Sequence, residues 1–207
     1  MTMPLANAAV DLFFKGGPIM YPLLLATIVA IALVGERLLW LYRFRQSRNP
    51  VAVAEILQAA ESENWAEAER LAKASTDPVA RVLASGIQHR SHGFEGSIQV
   101  ASAKEMREAA RGIPTLDTLV TLAPLLGLLG TVGGIMGSFD SIGVDQLAVA
   151  KVTGGIGEAL IATASGLGIA IFSLIPLNIL SSGLTGLQAD LESAATTLQV
   201  LLQKHKK

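Results

Sequence analysis

The chain has 207 residues, 51% of them hydrophobic and only 16% charged, with a formal net charge of -1 and no cysteine. A soluble domain carries about 25% charged residues, so this chain is short of the polar surface that water requires. Without cysteine there is no disulfide, thiol nucleophile or thiolate metal site. The near-neutral balance gives no general attraction for nucleic acid.

The shortage of charge is concentrated. Residues 16–35, 118–139 and 159–189 contain no Asp, Glu, Lys or Arg. A helix crosses a hydrocarbon core of about 30 Å with roughly 20 residues, so each run is long enough to span. As buried helices of a soluble core, they would leave too little polar chain to cover them. The expected fold class is an all-α membrane protein with three transmembrane helices, a helical cytoplasmic loop and a helical C-terminal tail. The expected segments are an external N-terminus over 1–17, spans over 18–41, 116–139 and 156–182, an internal loop over 42–115, an external loop over 140–155 and an internal tail over 183–207. The first span ends in Gly35-Glu36-Arg37-Leu38-Leu39-Trp40 with no small-residue cleavage site, so it reads as a retained helix and not a secretory leader.

Orientation follows from the basic residues. Arg43, Arg45 and Arg48 follow the first span, Lys104, Arg107 and Arg111 precede the second, and Lys204, His205, Lys206 and Lys207 end the tail. The other side offers Lys15 and Lys151. An excess of Lys and Arg marks the cytoplasmic face, which puts the N-terminus outside and the loop and tail inside.

The loop reads as helical. Asn49-Pro50 and Asp77-Pro78 each set a capping side chain before a proline at the first helical position. Apolar residues recur at helical spacing over 51–60 and 65–74. Ser91-His92-Gly93-Phe94 breaks the pattern, a further helix starts at about Glu95, and Gly112 with Pro114 marks a bend. His89 and His92 are three apart, but no third ligand is placed to join them, so they read as a solvated pair. Gly130-Thr131-Val132-Gly133-Gly134 is no phosphate loop, because it lies inside an apolar span with no lysine after it. No catalytic triad or metal motif is present; the chain reads as neither an enzyme nor a cofactor carrier.

Any chemistry then lies in the membrane. In the second span Gly127, Gly130, Gly133, Gly134 and Gly137 include two pairs four residues apart. In the third, Ala162, Gly166 and Ala170 repeat that spacing. Small residues at this spacing let helix backbones approach closely in lipid. Leu23, Leu24, Leu25, Ile28, Val29, Ile31 and Leu33 make no such seam, so the first span is expected on the outside. Thr131 and Thr163 are hydroxyls within the small-residue helices, and they either bond a carbonyl one turn back or serve a polar pathway. Glu158, at the edge of the third span, is a costly intramembrane carboxylate or an interfacial anchor.

Ala-Pro-x-x-Gly-Leu-Leu-Gly-Thr-Val-x-Gly-Ile-Met over Ala123 to Met136 resembles the second-helix signature of the ExbB/TolQ/MotA proton-channel family. Gly-Ile-x-Glu-Ala-Leu-x-Ala-Thr-Ala-x-Gly-Leu over Gly155 to Leu167 is similar to its third helix, and Glu36-Arg37-Leu38 to the end of its first. Gly133 departs from the pattern, since ExbB-like proteins often carry tryptophan there. The resemblance, closest to ExbB, implies a proton-motive-force motor in the bacterial inner membrane. Such subunits form a homo-oligomeric ring, usually pentameric, around the single-pass helices of an ExbD-like partner that supplies a membrane aspartate. The ring works with a TonB-like protein to energise outer-membrane transport. A TolQ- or MotA-like output and a non-conducting scaffold are the alternatives. By motif position, Thr131 and Thr163 match pore-lining threonines and Glu158 the third-helix glutamate.

The residues agree with that picture. The central membrane stretches hold no acid, so a partner carboxylate is required, and threonine hydroxyls hydrogen-bond a carboxyl group in either protonation state. Glu158 and Thr163 are five apart and point about 140° away from each other on a regular helix. Thr163 is expected to face the pore, and Glu158 to sit nearer a subunit boundary at the outer mouth.

Overall fold

The computed structural model describes residues 5–139 and 148–204, without the side chains of 5–9 and 148–151. Asp140, His205, Lys206 and Lys207, the side chain of Lys151 and half of the expected external loop, residues 140–147, lie outside the described residues. Among those described, every element is a helix: α1 (Leu5–Lys15), α2 (Met20–Ser47), α3 (Pro50–Glu61), α4 (Trp65–Ala74), α5 (Pro78–Gln88), α6 (Phe94–Ala110), α7 (Ile113–Phe139) and α8 (Ala148–Lys204). Three stretches, Met20–Ser47, Phe94–Phe139 and Val152–Lys204, contain helix long and apolar enough to cross a membrane. The protein is an all-α membrane protein. Two features were not read from sequence: residues 5–15 form a helix of their own, and the third span continues without a break into the tail as α8. Pro124 lies inside α7 and Pro176 inside α8, as transmembrane helices tolerate when neighbours re-satisfy the freed carbonyl.

The chain divides into two compact units, one of Met1–Glu36 with Gly112–Asn178, the other of Arg37–Arg111 with Ile179–Lys207. In the first unit α7 and α8 run against each other along small residues. A Cβ on Gly127 would stand 3.0 Å from the Ala162 carbonyl oxygen and the Thr163 Cα, and one on Gly130 2.6 Å from the Ala162 Cβ. One on Gly134 would stand 3.0 Å from the Gly155 carbonyl oxygen, and one on Gly166 would fall on the Ala123 carbonyl. Ala162 and Ala170 are buried. Gly133 and Gly137, expected in the same seam, are not part of it, since a Cβ on either meets nothing within 4 Å. At 100° per residue the two overlapping glycine pairs of α7 differ by only about 60° in mean direction, and the contacts to α8 are made at 127, 130 and 134.

The first span also departs from expectation. It carries its own inward stripe, Leu23, Ala26 and Ala30, in a cluster with Met20, Leu119, Ala123 and Ile169. Val34 is buried too, while Leu24, Leu25, Ile28 and Ile31 are exposed. The seam is built on alanine where α7 uses glycine, and the leucine-rich look of the segment hides it.

In the second unit, α3 to α6 pack with Leu187, Leu191 and Leu198 of α8 around Ile56, Leu83 and Ile87. The expected caps form: the Asn49 side chain accepts from the Ala52 N–H and that of Asp77 from the Val79 N–H. Asn64 caps α4 through the Glu67 N–H. Gly93 takes a left-handed φ of 85° ahead of α6, and Gly112 one of 77° at the bend before α7. Arg81 holds α5 to α6 through a two-pronged pair with Glu105, at 2.9 and 2.5 Å. Arg37, almost fully buried, donates to the Arg111 carbonyl at 2.8 Å and lies over Trp40.

Asp77 is the polar centre of this unit. Fully buried, it accepts from the Val79 and Asn49 N–H groups at 2.8 and 2.6 Å. Its Oδ2 lies 3.4 Å from Arg48 Nε, and Arg48 reaches Asp190 at 2.5 Å. One carboxylate thus ties the end of α2 to the start of α5, and its arginine ties both to α8. Asp77→Ala removes a cap and strands two buried donors, which costs about 2–4 kcal/mol. Asp77→Asn, which keeps an amide oxygen for one of them, is expected to cost less. Thermal unfolding of the two purified variants in detergent checks that order.

Candidate functional site

Thr131 and Thr163 come from different helices and meet. Their hydroxyls are hydrogen-bonded to each other. Both also reach the Gly127 carbonyl, Thr131 at 3.2 Å and Thr163 at 3.1 Å, and Thr131 lies 3.4 Å from the Ala159 carbonyl. The two readings open from sequence are therefore not exclusive. Thr131 does bond the carbonyl one turn back in its own helix, but the carbonyl one turn before Thr163 is approached by Thr131, and Thr163 turns to the other helix.

Gly127 makes this possible. With no side chain, its backbone lies close enough to α8 for one carbonyl to serve both hydroxyls. Two O–H protons then face several acceptors, counting the two carbonyls and the hydroxyl oxygens themselves. Either threonine can turn its proton outward, or accept one, while its neighbour keeps a partner. A hydroxyl pair with spare acceptors can hydrogen-bond a carboxyl group in either protonation state.

Glu158 has different surroundings. It is half-buried and lines a cavity of about 440 Å³ with Pro18, Ile19, Leu129, Gly130, Gly133 and Gly134. Its carboxylate lies where a Cβ on Gly17 would stand. Gly133, outside the helix seam, thus borders the glutamate's cavity. The contact with the 16–19 turn was not foreseen, although Gly16-Gly17-Pro18 is a turn signal legible in the sequence. Ser138 and Gly155 were missed as well: Ser138 bonds the Gly134 carbonyl at 2.8 Å, and its hydroxyl fills the place of a Gly155 Cβ.

His89 and His92 belong to the second unit. His89 ends α5 and donates from Nδ1 to the Ser85 carbonyl at 2.9 Å. Among the described residues no group of three or more His, Asp or Glu is placed to hold a metal.

The MotA/TolQ/ExbB proton channel family is matched over residues 74–193, which include both threonines and Glu158. The chain is 34% identical over 180 residues to a putative biopolymer transport protein, ExbB-like 1, of Synechocystis sp., an alignment that covers 83% of this chain and 70% of that one. It is 44% identical over 61 residues to the biopolymer transport protein ExbB of Neisseria gonorrhoeae, covering 30% of this chain and 28% of that protein. A family match over more than half of the chain, and a relative aligned over most of both lengths, lead to one conclusion: the chain belongs to the MotA/TolQ/ExbB proton channel family.

Proposed function

We propose that this protein is an ExbB-like subunit of an inner-membrane motor driven by the proton-motive force. In this reading several copies, five by family resemblance, surround the single-pass helices of an ExbD-like partner and energise a TonB-like protein for outer-membrane transport. The N-terminus is periplasmic and the C-terminus cytoplasmic, in keeping with the arginines and lysines of the loop and tail. The observation that carries the reading is the Thr131–Thr163 pair, set between spans whose central stretches hold no acid. The chain offers hydrogen bonds to a carboxyl group at that depth but brings no carboxyl group there. A partner carboxylate loads a proton on one side, passes the hydroxyls while neutral and unloads on the other. The field supplies about 2.3 kcal/mol per proton per 100 mV, enough to bias the movement of a loosely held central helix.

The test is proton flux into proteoliposomes holding this chain with its co-purifying single-pass partner. Flux is expected only with both present and is expected to vanish when the partner's membrane aspartate becomes asparagine. Flux from this chain alone, or an unaffected asparagine variant, would sink the proposal. In this reading Glu158 lies on the same route, at its outer mouth. Glu158→Gln keeps size and loses charge, and is expected to lower siderophore-dependent growth under iron limitation at equal protein level. Glu158→Asp is expected to retain part of it. Growth of the glutamine variant equal to wild type would reduce Glu158 to an interfacial anchor.

A further inference from the structure

The turn between α1 and α2 is built around the Glu158 carboxylate. Gly17 has a φ of 71°, a backbone state that glycine adopts freely and residues with a Cβ rarely take. Any side chain there would also stand on the carboxylate of Glu158. The preceding residue also has little room, since a Cβ on Gly16 would come within 2.6 Å of the Met20 side chain and 3.0 Å of Ile161. The turn is pinned on both flanks. Phe13 of α1 packs against the cluster of Met20 and Leu23 and meets Tyr21 edge-on at 5.3 Å, while Ile19 lies against Gly130 of α7. One wall of the glutamate's cavity is thus the turn, through Pro18 and Ile19, and another is the glycine face of α7.

We propose that Gly17 is the positioning residue for Glu158: the bare backbone of the α1–α2 turn sets the direction of the carboxylate and shields one side of it, so that the group opens towards the cavity beside Gly133. The consequence for proton movement rests on the motor reading above, but the geometry does not. A longer side chain at position 17 must displace either the turn or the carboxylate. The turn can be rebuilt only at the cost of the packing of α1, so the carboxylate yields.

The experiment uses the full chain in native membranes with its partner co-expressed. Gly17→Ala, Glu158→Asp and the double variant are compared with wild type in two measurements. The first is labelling of residue 158 by a water-soluble carbodiimide with an amine nucleophile, quantified by mass spectrometry. The second is proton-coupled growth. Gly17→Ala is expected to speed the labelling of Glu158 and to lower activity by about tenfold to 100-fold, the scale of a functional group misplaced by about 1 Å. Aspartate is shorter by one methylene and withdraws from the added Cβ, so the double variant is expected to match Glu158→Asp alone. Wild-type labelling in Gly17→Ala overturns the proposal. So does an equal further loss when Gly17→Ala is added to the aspartate variant, which makes Gly17 a mere turn former. If Gly17→Ala fails to accumulate, recovery of protein level by Glu158→Asp supports the proposal, and failure in both backgrounds overturns it. Should Glu158→Gln grow normally, the proton-pathway role of Glu158 falls, while the labelling difference still decides what Gly17 does.

Discussion

Thr163→Val is expected to abolish proton-coupled activity, by about 100-fold or more where a transition-stage hydrogen-bond donor is lost, with the protein still folded and assembled. Valine keeps the branched shape and removes the hydroxyl. The hydrogen bonds it takes away, to the Gly127 carbonyl and the Thr131 hydroxyl, are each worth about 0.5–1.5 kcal/mol to stability. Gly127 also keeps the Thr131 hydroxyl as a partner, so no buried carbonyl is orphaned. The stability cost is therefore small and the functional cost large. Thr131→Val is expected to behave alike, because the two hydroxyls form one network. For the same reason the double variant is expected to be no worse than either single one, since groups acting as a unit lose function together. Proton flux in proteoliposomes, with thermal unfolding in detergent as the control, reads both sides. Two valine variants with normal flux, or losses that multiply in the double variant, would show that the pair is not the pathway.

The residues of that pair were legible from the chain, but their joining was not. Thr131 and Thr163 stand out because each interrupts a run of small apolar residues, and the motif around each is specific. What sequence could not supply is the register between α7 and α8, which decides whether Thr163 meets Thr131 or its own backbone. Register is fixed by contacts such as Gly166 on Ala123 and Gly134 on Gly155, and spacing within either helix does not determine their pairing. The same gap hides which glycines of α7 meet α8 within one chain: Gly130 and Gly134 do, and Gly133 and Gly137, three residues further on, do not.

The caps of the loop show the opposite case. Asn49-Pro50 and Asp77-Pro78 act within a few residues of chain, so local chemistry sufficed to place the starts of α3 and α5. The second role of Asp77, holding the Asn49 N–H and Arg48 from a distant part of the chain, has no local signature. In α2, alanines serve as the inward stripe, and a composition rich in leucine conceals a face that small residues make. Gly17 lies between these extremes. Its turn was readable from Gly16-Gly17-Pro18, but the glutamate it touches belongs to a helix more than a hundred residues away.

Gly166→Leu is expected to destroy the fold of the membrane unit. A Cβ at this position would fall on the Ala123 carbonyl and stand 3.1 Å from the Gly127 Cα. Both obstacles are backbone, so no side chain can rotate away, and α7 and α8 must part along the whole seam. Ordinary overpacking of a core costs about 1–3 kcal/mol. Separation of this pair would also break the Thr131–Thr163 bond three residues away and lose the van der Waals packing that holds helices together in lipid. The damage arises within one chain, before any ring is formed, so the expected result is loss of monodisperse protein on extraction, not a shift from ring to monomer. Gly168→Leu is the matching control. It lies two residues along the same helix, carries the same change in helix propensity and meets nothing within 4 Å. It is expected to yield folded protein at the wild-type level. Size-exclusion profiles of the two variants decide the matter. A folded Gly166→Leu beside a collapsed Gly168→Leu would mean that α8 turns a different face to α7, and would carry the threonine pair away with the seam.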